Sequence, residues 1–233
     1  MKQLYEKNRI WFAVGWILVY VLIFGNLRSL GDDSPYVMTA MIAMCAALLA
    51  FILENGLAEY YGLDHWGKRI RPMLYYIPLW IVASGNLWGG IAPKYEGAGL
   101  FYAIVMFALV GVVEELLLRG FLFRAMCEDG SVVTAIIVSS VTFGMGHIVN
   151  LLSGHGGMET LVQVIFAVAI GFLFTLVYYR SESLLPCILA HSIIDVLSVF
   201  SARSETMDTI YIVSVFVITA VYGIYLWKLK PEQ

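Results

Sequence analysis

Long apolar runs, separated by short polar stretches, dominate the chain. Eight of them approach the roughly 20 residues needed to cross a bilayer: Ile10–Leu27, Tyr36–Ala58, Met73–Ala92, Leu100–Met126, Val132–Leu152, Thr160–Tyr179, Leu184–Phe200 and Thr209–Lys228. This pattern predicts an all-α polytopic membrane protein of about eight transmembrane helices. It forms one integral membrane domain over 1–233, without repeats or low-complexity tracts. The polar stretches test the count. With eight crossings one side holds Lys2, Lys7, Arg9, Lys68, Arg69, Arg71, Arg124, Arg180, Lys228 and Lys230, and the other only Arg28, Lys94 and Arg203. That asymmetry predicts both termini in the cytoplasm, with the plasma (inner) membrane as the expected location. The polar stretch Met1–Arg9 precedes a long apolar run without a small-residue cleavage site, which reads as a retained first span rather than a signal peptide.

Aromatic residues, among them Trp11, Tyr20, Tyr36, Tyr60, Tyr61, Trp66, Tyr178, Tyr179 and Trp227, fall mostly near predicted span ends and read as interfacial anchors. Tyr60–Pro72 reads as an amphipathic segment on the cytoplasmic membrane surface, with His65 interfacial. Gly85 and Gly89 form a small-xxx-small pair suited to close helix approach.

The polar positions that break the apolar pattern are few. Glu114, Glu115 and Arg119 lie inside the fourth run, where each charge costs about 2.5–3.5 kcal/mol at bilayer depth. Glu115 and Arg119 are four apart and share a helix face, so they pair; Glu114 is turned about 100° away and is left for chemistry. The fifth run places Phe143 and His147 on one face, with Gly144 and Gly146 giving backbone room beside the imidazole. The seventh places His191 and Asp195 on one face. A carboxylate, two histidines and an aspartate spread over three such apolar runs point to one shared site.

Composition agrees. The chain has 233 residues, 61% of them hydrophobic and only 13% charged, against roughly 25% charged in soluble domains. A net charge of -3 without a basic block excludes nucleic acid as a partner. Cys45, Cys127 and Cys187 show no paired spacing and read as packing residues rather than a disulfide framework or a cysteine zinc site.

Two chemistries suit the site. A carboxylate beside a histidine deprotonates a water while a second histidine donates to the oxyanion of a tetrahedral intermediate, which is a layout for peptide hydrolysis. Alternatively His147, His191 and one carboxylate, Glu114 or Asp195, supply ligands for one Zn²⁺ whose fourth position holds water. The absence of His-Glu-x-x-His, Gly-x-Ser-Gly and Gly-x-Gly-Asp disfavours the intramembrane proteases that use those motifs. His155, in the Gly154–Gly157 turn, reads as a loop residue.

Glu114-Glu115-Leu-Leu-Leu-Arg119-Gly120, Phe143-x-x-x-His147 and His191-x-x-x-Asp195 together resemble the three motifs of the CPBP family, the Abi or CAAX-protease-and-bacteriocin-processing membrane proteases. The motif-bearing core spans about 100–200. The resemblance implies an eight-span intramembrane endopeptidase with catalytic residues on the fourth, fifth and seventh helices. Glu114 would activate water with His147 as its partner. His191, with Asp195, would stabilise the oxyanion, while Glu115, Arg119 and Phe143 give support. The family has been described both as metal-dependent and as glutamate-type, so zinc or no cofactor is expected. Where this chain has Asp195 the family often has Asn, and an ionised Asp does not donate to an oxyanion. Asp195 is therefore protonated, orients His191, or ligates a metal. The implied partners are the bilayer and a membrane protein or peptide, met in CAAX-type or bacteriocin processing and self-immunity. The competing functions are a sequestering immunity protein and a proton-coupled transporter.

Overall fold

The fold was analysed in a computed structural model that describes residues 1–148, 156–202 and 204–229. Its helices are α1 (Lys2–Lys7), α2 (Arg9–Leu27), α3 (Pro35–Glu54), α4 (Ile77–Ser84), α5 (Gly97–Asp129), α6 (Val132–Gly146), α7 (Gly157–Ser181), α8 (Leu185–Ser198) and α9 (Glu205–Lys228). Among the described residues extended pairing is limited to a bridge between Ile91 and Ser201. The chain is an all-α integral membrane protein. Exposed Leu18, Leu22, Ile42, Leu53, Val217, Val221 and Ile224 form the lipid-facing exterior that water would not tolerate on this scale.

Each predicted run contains a helix, but among the described residues only α2, α3, α5, α7 and α9 are long and apolar enough to cross a membrane. Helices α6 and α8 have 15 and 14 residues. The Met73–Ala92 run is broken: a 3₁₀ turn at Leu74–Tyr76 precedes α4, and another at Gly85–Leu87 follows it. Leu74, Tyr75 and Tyr76 all have positive φ, which no apolar periodicity announces. Pro78 sits in the first turn of α4, where a missing N–H costs nothing, and so marks a helix start inside the apolar run.

The Tyr60–Pro72 stretch is built of turns and bends. It is an irregular segment whose Tyr61 is buried, and it is tied to the α7–α8 junction. Leu184 N donates to Gly62 O over 3.0 Å, and the Ser183 hydroxyl donates to the carbonyls of Gly62 and His65. His65 Nδ1 accepts from Gly67 N, a local turn role. At this end of the bundle Arg9 meets Glu128 at 2.6 Å, and the Tyr60 hydroxyl donates to the same carboxylate. Burial, reinforced by Glu128, pushes the Tyr60 phenol up to about 12, so it keeps its proton as that donor. At the far end of α2, Tyr95 reaches Asp32.

Small residues set the helix spacing around the centre. A Cβ on Gly85 would meet the Tyr211 ring at 1.9 Å, and one on Gly89 the Ala202 carbonyl at 2.5 Å, so this pair does provide close approach. Gly144 serves the same purpose, contrary to the expectation that it makes room beside His147: its Cβ would fall 2.3 Å from Val168 Cγ2 and 2.8 Å from Val164 O on α7. Gly111 lets α5 lie against α8, since a Cβ there would stand 2.5 Å from Ser192 N. Backbone cannot yield as a side chain can. Gly111→Ala is therefore expected to cost about 1–3 kcal/mol, read as a lower thermal midpoint in detergent micelles. Cys45 and Cys187 are buried and all three cysteines are free, as packing residues.

Candidate active site

Helix α5 carries the site, and it changes pitch there. Residues Gly97–Glu115 are α-helical, Leu116–Phe123 form a π-helix, and the α pitch resumes from Arg124. All eight residues of Leu116–Phe123 are buried, so this segment is packed on every side. Wide turns of this kind interrupt α-helices mostly at functional sites. Ser139 of α6 donates to Leu118 O at 3.1 Å and so covers a carbonyl within the wide segment.

Glu115 and Arg119 straddle its start, and both are wholly buried. Arg119 Nη1 donates to Glu115 Oε1 at 2.7 Å, and Nη2 to Gly171 O on α7 at 3.3 Å. The guanidinium lies 4.5 Å from the Phe143 ring centroid and 5.7 Å from that of Phe174. Such faces attract a cation, most strongly where water is excluded. The pair read from four-residue spacing is thus present, enclosed by aromatic faces from α6 and α7.

Helix α8 joins this pair to the second carboxylate. His191 Nδ1 stands 2.9 Å from Glu115 Oε1. A carboxylate paired with Arg119 accepts and does not donate, so Nδ1 carries the hydrogen in this contact. That directs Nε2 to the other side, where Asp195 Oδ2 lies at 3.5 Å and Glu114 Oε2 at 3.9 Å. Both distances exceed a good charged hydrogen bond. Glu114 and Asp195 side chains are 21% and 22% exposed, whereas His191 is 6% exposed, so the two carboxylates form the accessible rim over a buried imidazole.

Phe143 organises the histidines. Its ring makes edge contacts with His191 at 5.3 Å and with His147 at 5.8 Å between centroids. His147 caps the C-terminal end of α6 and is partly buried. Glu114, Glu115, Arg119, Phe143, His191 and Asp195 are therefore joined in one network, which His147 enters through Phe143. His155 lies outside the described residues.

Sequence reading missed one member. Tyr20 of α2, read as an interfacial aromatic, donates its hydroxyl to Glu114 Oε1 at 2.7 Å. The available signal was depth: position 20 falls well inside the first run, where a phenol requires a partner. Tyr61 and Tyr178, also read as anchors, are buried.

Among the described residues no group of three or more His, Cys, Asp or Glu side chains is arranged to hold a metal ion. His191 Nδ1 is committed to Glu115, and Glu114 Oε1 to Tyr20. His191 Nε2, Glu114 Oε2 and Asp195 Oδ2 are the atoms left facing one another.

Comparison with known proteins agrees with the motifs. No curated protein and no solved structure matches the chain. Residues 96–197 match the family model described as type II CAAX prenyl endopeptidase Rce1-like. The matched segment is under half of the chain and runs from the start of α5 almost to the end of α8, so it holds Glu114, Glu115, Arg119, Phe143, His147, His191 and Asp195. Over that segment the chain is similar to the Rce1-like type II CAAX prenyl endopeptidases.

Proposed function

We propose that this protein hydrolyses a peptide bond near the C-terminus of a membrane-associated, lipid-modified peptide, with Glu114 as the general base. The observation that carries the reading is the facing of Glu114 Oε2 and His191 Nε2 across 3.9 Å, with the far side of the imidazole fixed by Glu115. A carboxylate and a ring nitrogen so placed border a space where water and a carbonyl oxygen meet.

In the proposed reaction Glu114 takes a proton from water as the water oxygen bonds to the scissile carbonyl carbon. His191 acts as an imidazolium among three carboxylates: Nδ1–H stays on Glu115, and Nε2–H donates to the resulting oxyanion. The C–N bond then breaks, and Glu114 returns its proton to the leaving amine. Asp195, beside the same nitrogen, orients His191 in place of the asparagine often found in the family. His147 is assigned as the second contact to the attacking water on its motif position, supported by its edge contact with the Phe143 ring that also meets His191. A prenylated Cys-aliphatic-aliphatic-X terminus fits the matched family and is the substrate class assigned. The basic asymmetry supports a cytoplasmic location for both termini.

The test is cleavage of a farnesylated C-terminal peptide by the full chain in liposomes, with and without chelator, beside metal analysis of the purified protein. Cleavage that survives chelation, in protein carrying less than one equivalent of metal, is the expected result. Activity lost to chelator and restored by Zn²⁺ would return the site to the zinc alternative.

A further inference from the structure

Tyr20 lies outside the matched segment, on the helix least buried of the five spans. The buried residues of α2 are Phe12 and Ala13, near its N-terminal end, while Leu18, Val19, Leu22 and Ile23 are exposed. The level of Tyr20 is thus a lightly packed part of the helix. Even so its hydroxyl reaches across to Glu114 and donates over 2.7 Å, the length of a charge-assisted bond. The Phe24 ring, 5.1 Å away one turn later, packs beside the phenol.

The two oxygens of Glu114 have different surroundings as a result. Oε1 receives the Tyr20 hydroxyl, and Oε2 faces His191 Nε2. A free glutamate end rotates through a broad torsional well, so either oxygen would otherwise face the histidine. We infer that Tyr20 is a positioning residue: it occupies Oε1, fixes the carboxylate plane, and leaves Oε2 as the oxygen that takes the proton from water. The site is then completed from α2, and displacement of this loosely packed helix would release the base. This inference rests on the reading of Glu114 as the base.

Tyr20→Phe removes one hydroxyl and keeps the ring. With the full chain in liposomes and a farnesylated C-terminal peptide, kcat is expected to fall about 10- to 100-fold, the range for one hydrogen bond to a charged group. KM should stay within about twofold, because Tyr20 acts on the base and not on the substrate. Combining Tyr20→Phe with Glu114→Gln should be no worse than Glu114→Gln alone. Wild-type or raised kcat in Tyr20→Phe, beside an inactive Glu114→Gln, overturns the inference and spares the assignment of the base. An active Glu114→Gln overturns the base itself. A lowered thermal midpoint with unchanged kcat per folded molecule marks a purely structural tie, and also overturns the inference.

Discussion

Glu114→Gln is expected to lower kcat by about 10²–10⁴-fold while the protein still inserts, folds and binds substrate. The isosteric amide retains an acceptor for the Tyr20 hydroxyl and the same volume beside His191, so packing is undisturbed. What it loses is the ability to take a proton from water. KM should move little, because the carboxylate acts between water and the transition state and not on the peptide in the ground state. Parallel measurement of cleavage rate and thermal midpoint on one purified preparation separates chemistry from stability. A folded Glu114→Gln protein with wild-type kcat would remove this residue from the reaction.

Breaking the Glu115–Arg119 pair should instead destroy the fold. Both side chains are fully buried, so Arg119→Met strands the Glu115 carboxylate against a single imidazole. Removing one partner of a buried pair costs about 3–5 kcal/mol, a large part of the roughly 5–15 kcal/mol available to a domain. The single variants Arg119→Met and Glu115→Met are both expected to accumulate poorly and to melt well below the parent. The double variant should regain stability over either single one, since two apolar groups leave no buried charge. It should nevertheless be inactive, because His191 Nδ1 loses the acceptor that orients the ring. Thermal unfolding with cleavage assays on all three variants checks this. Active double-variant protein would show that Glu115 gives packing alone.

The contrast between these residues was legible in the sequence because α-helical geometry is local. Four-residue spacing alone puts Glu115 beside Arg119 and His191 beside Asp195, and both relations are found. The membrane class followed from composition, which tertiary structure cannot reverse. Other features depend on contacts between segments far apart in the chain. The π-helical stretch Leu116–Phe123 has the same apolar content as an α-helix, and its wide turn shows only when its neighbours are in place. The Glu114–Tyr20 bond joins residues 94 positions apart, so no periodicity announces it. The Tyr60–Pro72 segment is a further case: bonds from the Leu184 amide and the Ser183 hydroxyl at the α7–α8 junction hold it against the bundle, and its own residues do not announce them.

The helices that proved short are those that bear on the site. Helix α6 stops at Gly146, immediately before His147, and α8 is tied to the broken third segment through Asn86 Nδ2, which donates to Ile194 O at 2.7 Å. Ser192 donates to Ala108 O at 2.7 Å and locks α8 to α5 one residue from His191. The reactive groups thus stand on short, cross-braced helices around one long helix, the kind of rigid support that a hydrolytic site requires.

The most direct measurement is mass spectrometry of a farnesylated C-terminal peptide incubated with the purified full chain in liposomes, beside Glu114→Gln at equal protein. The account predicts a single new carboxyl terminus, formed by addition of one water, with the wild type and its near absence with the variant. Peptide that is bound but recovered intact from the wild-type protein would contradict it and make the chain a sequestering protein.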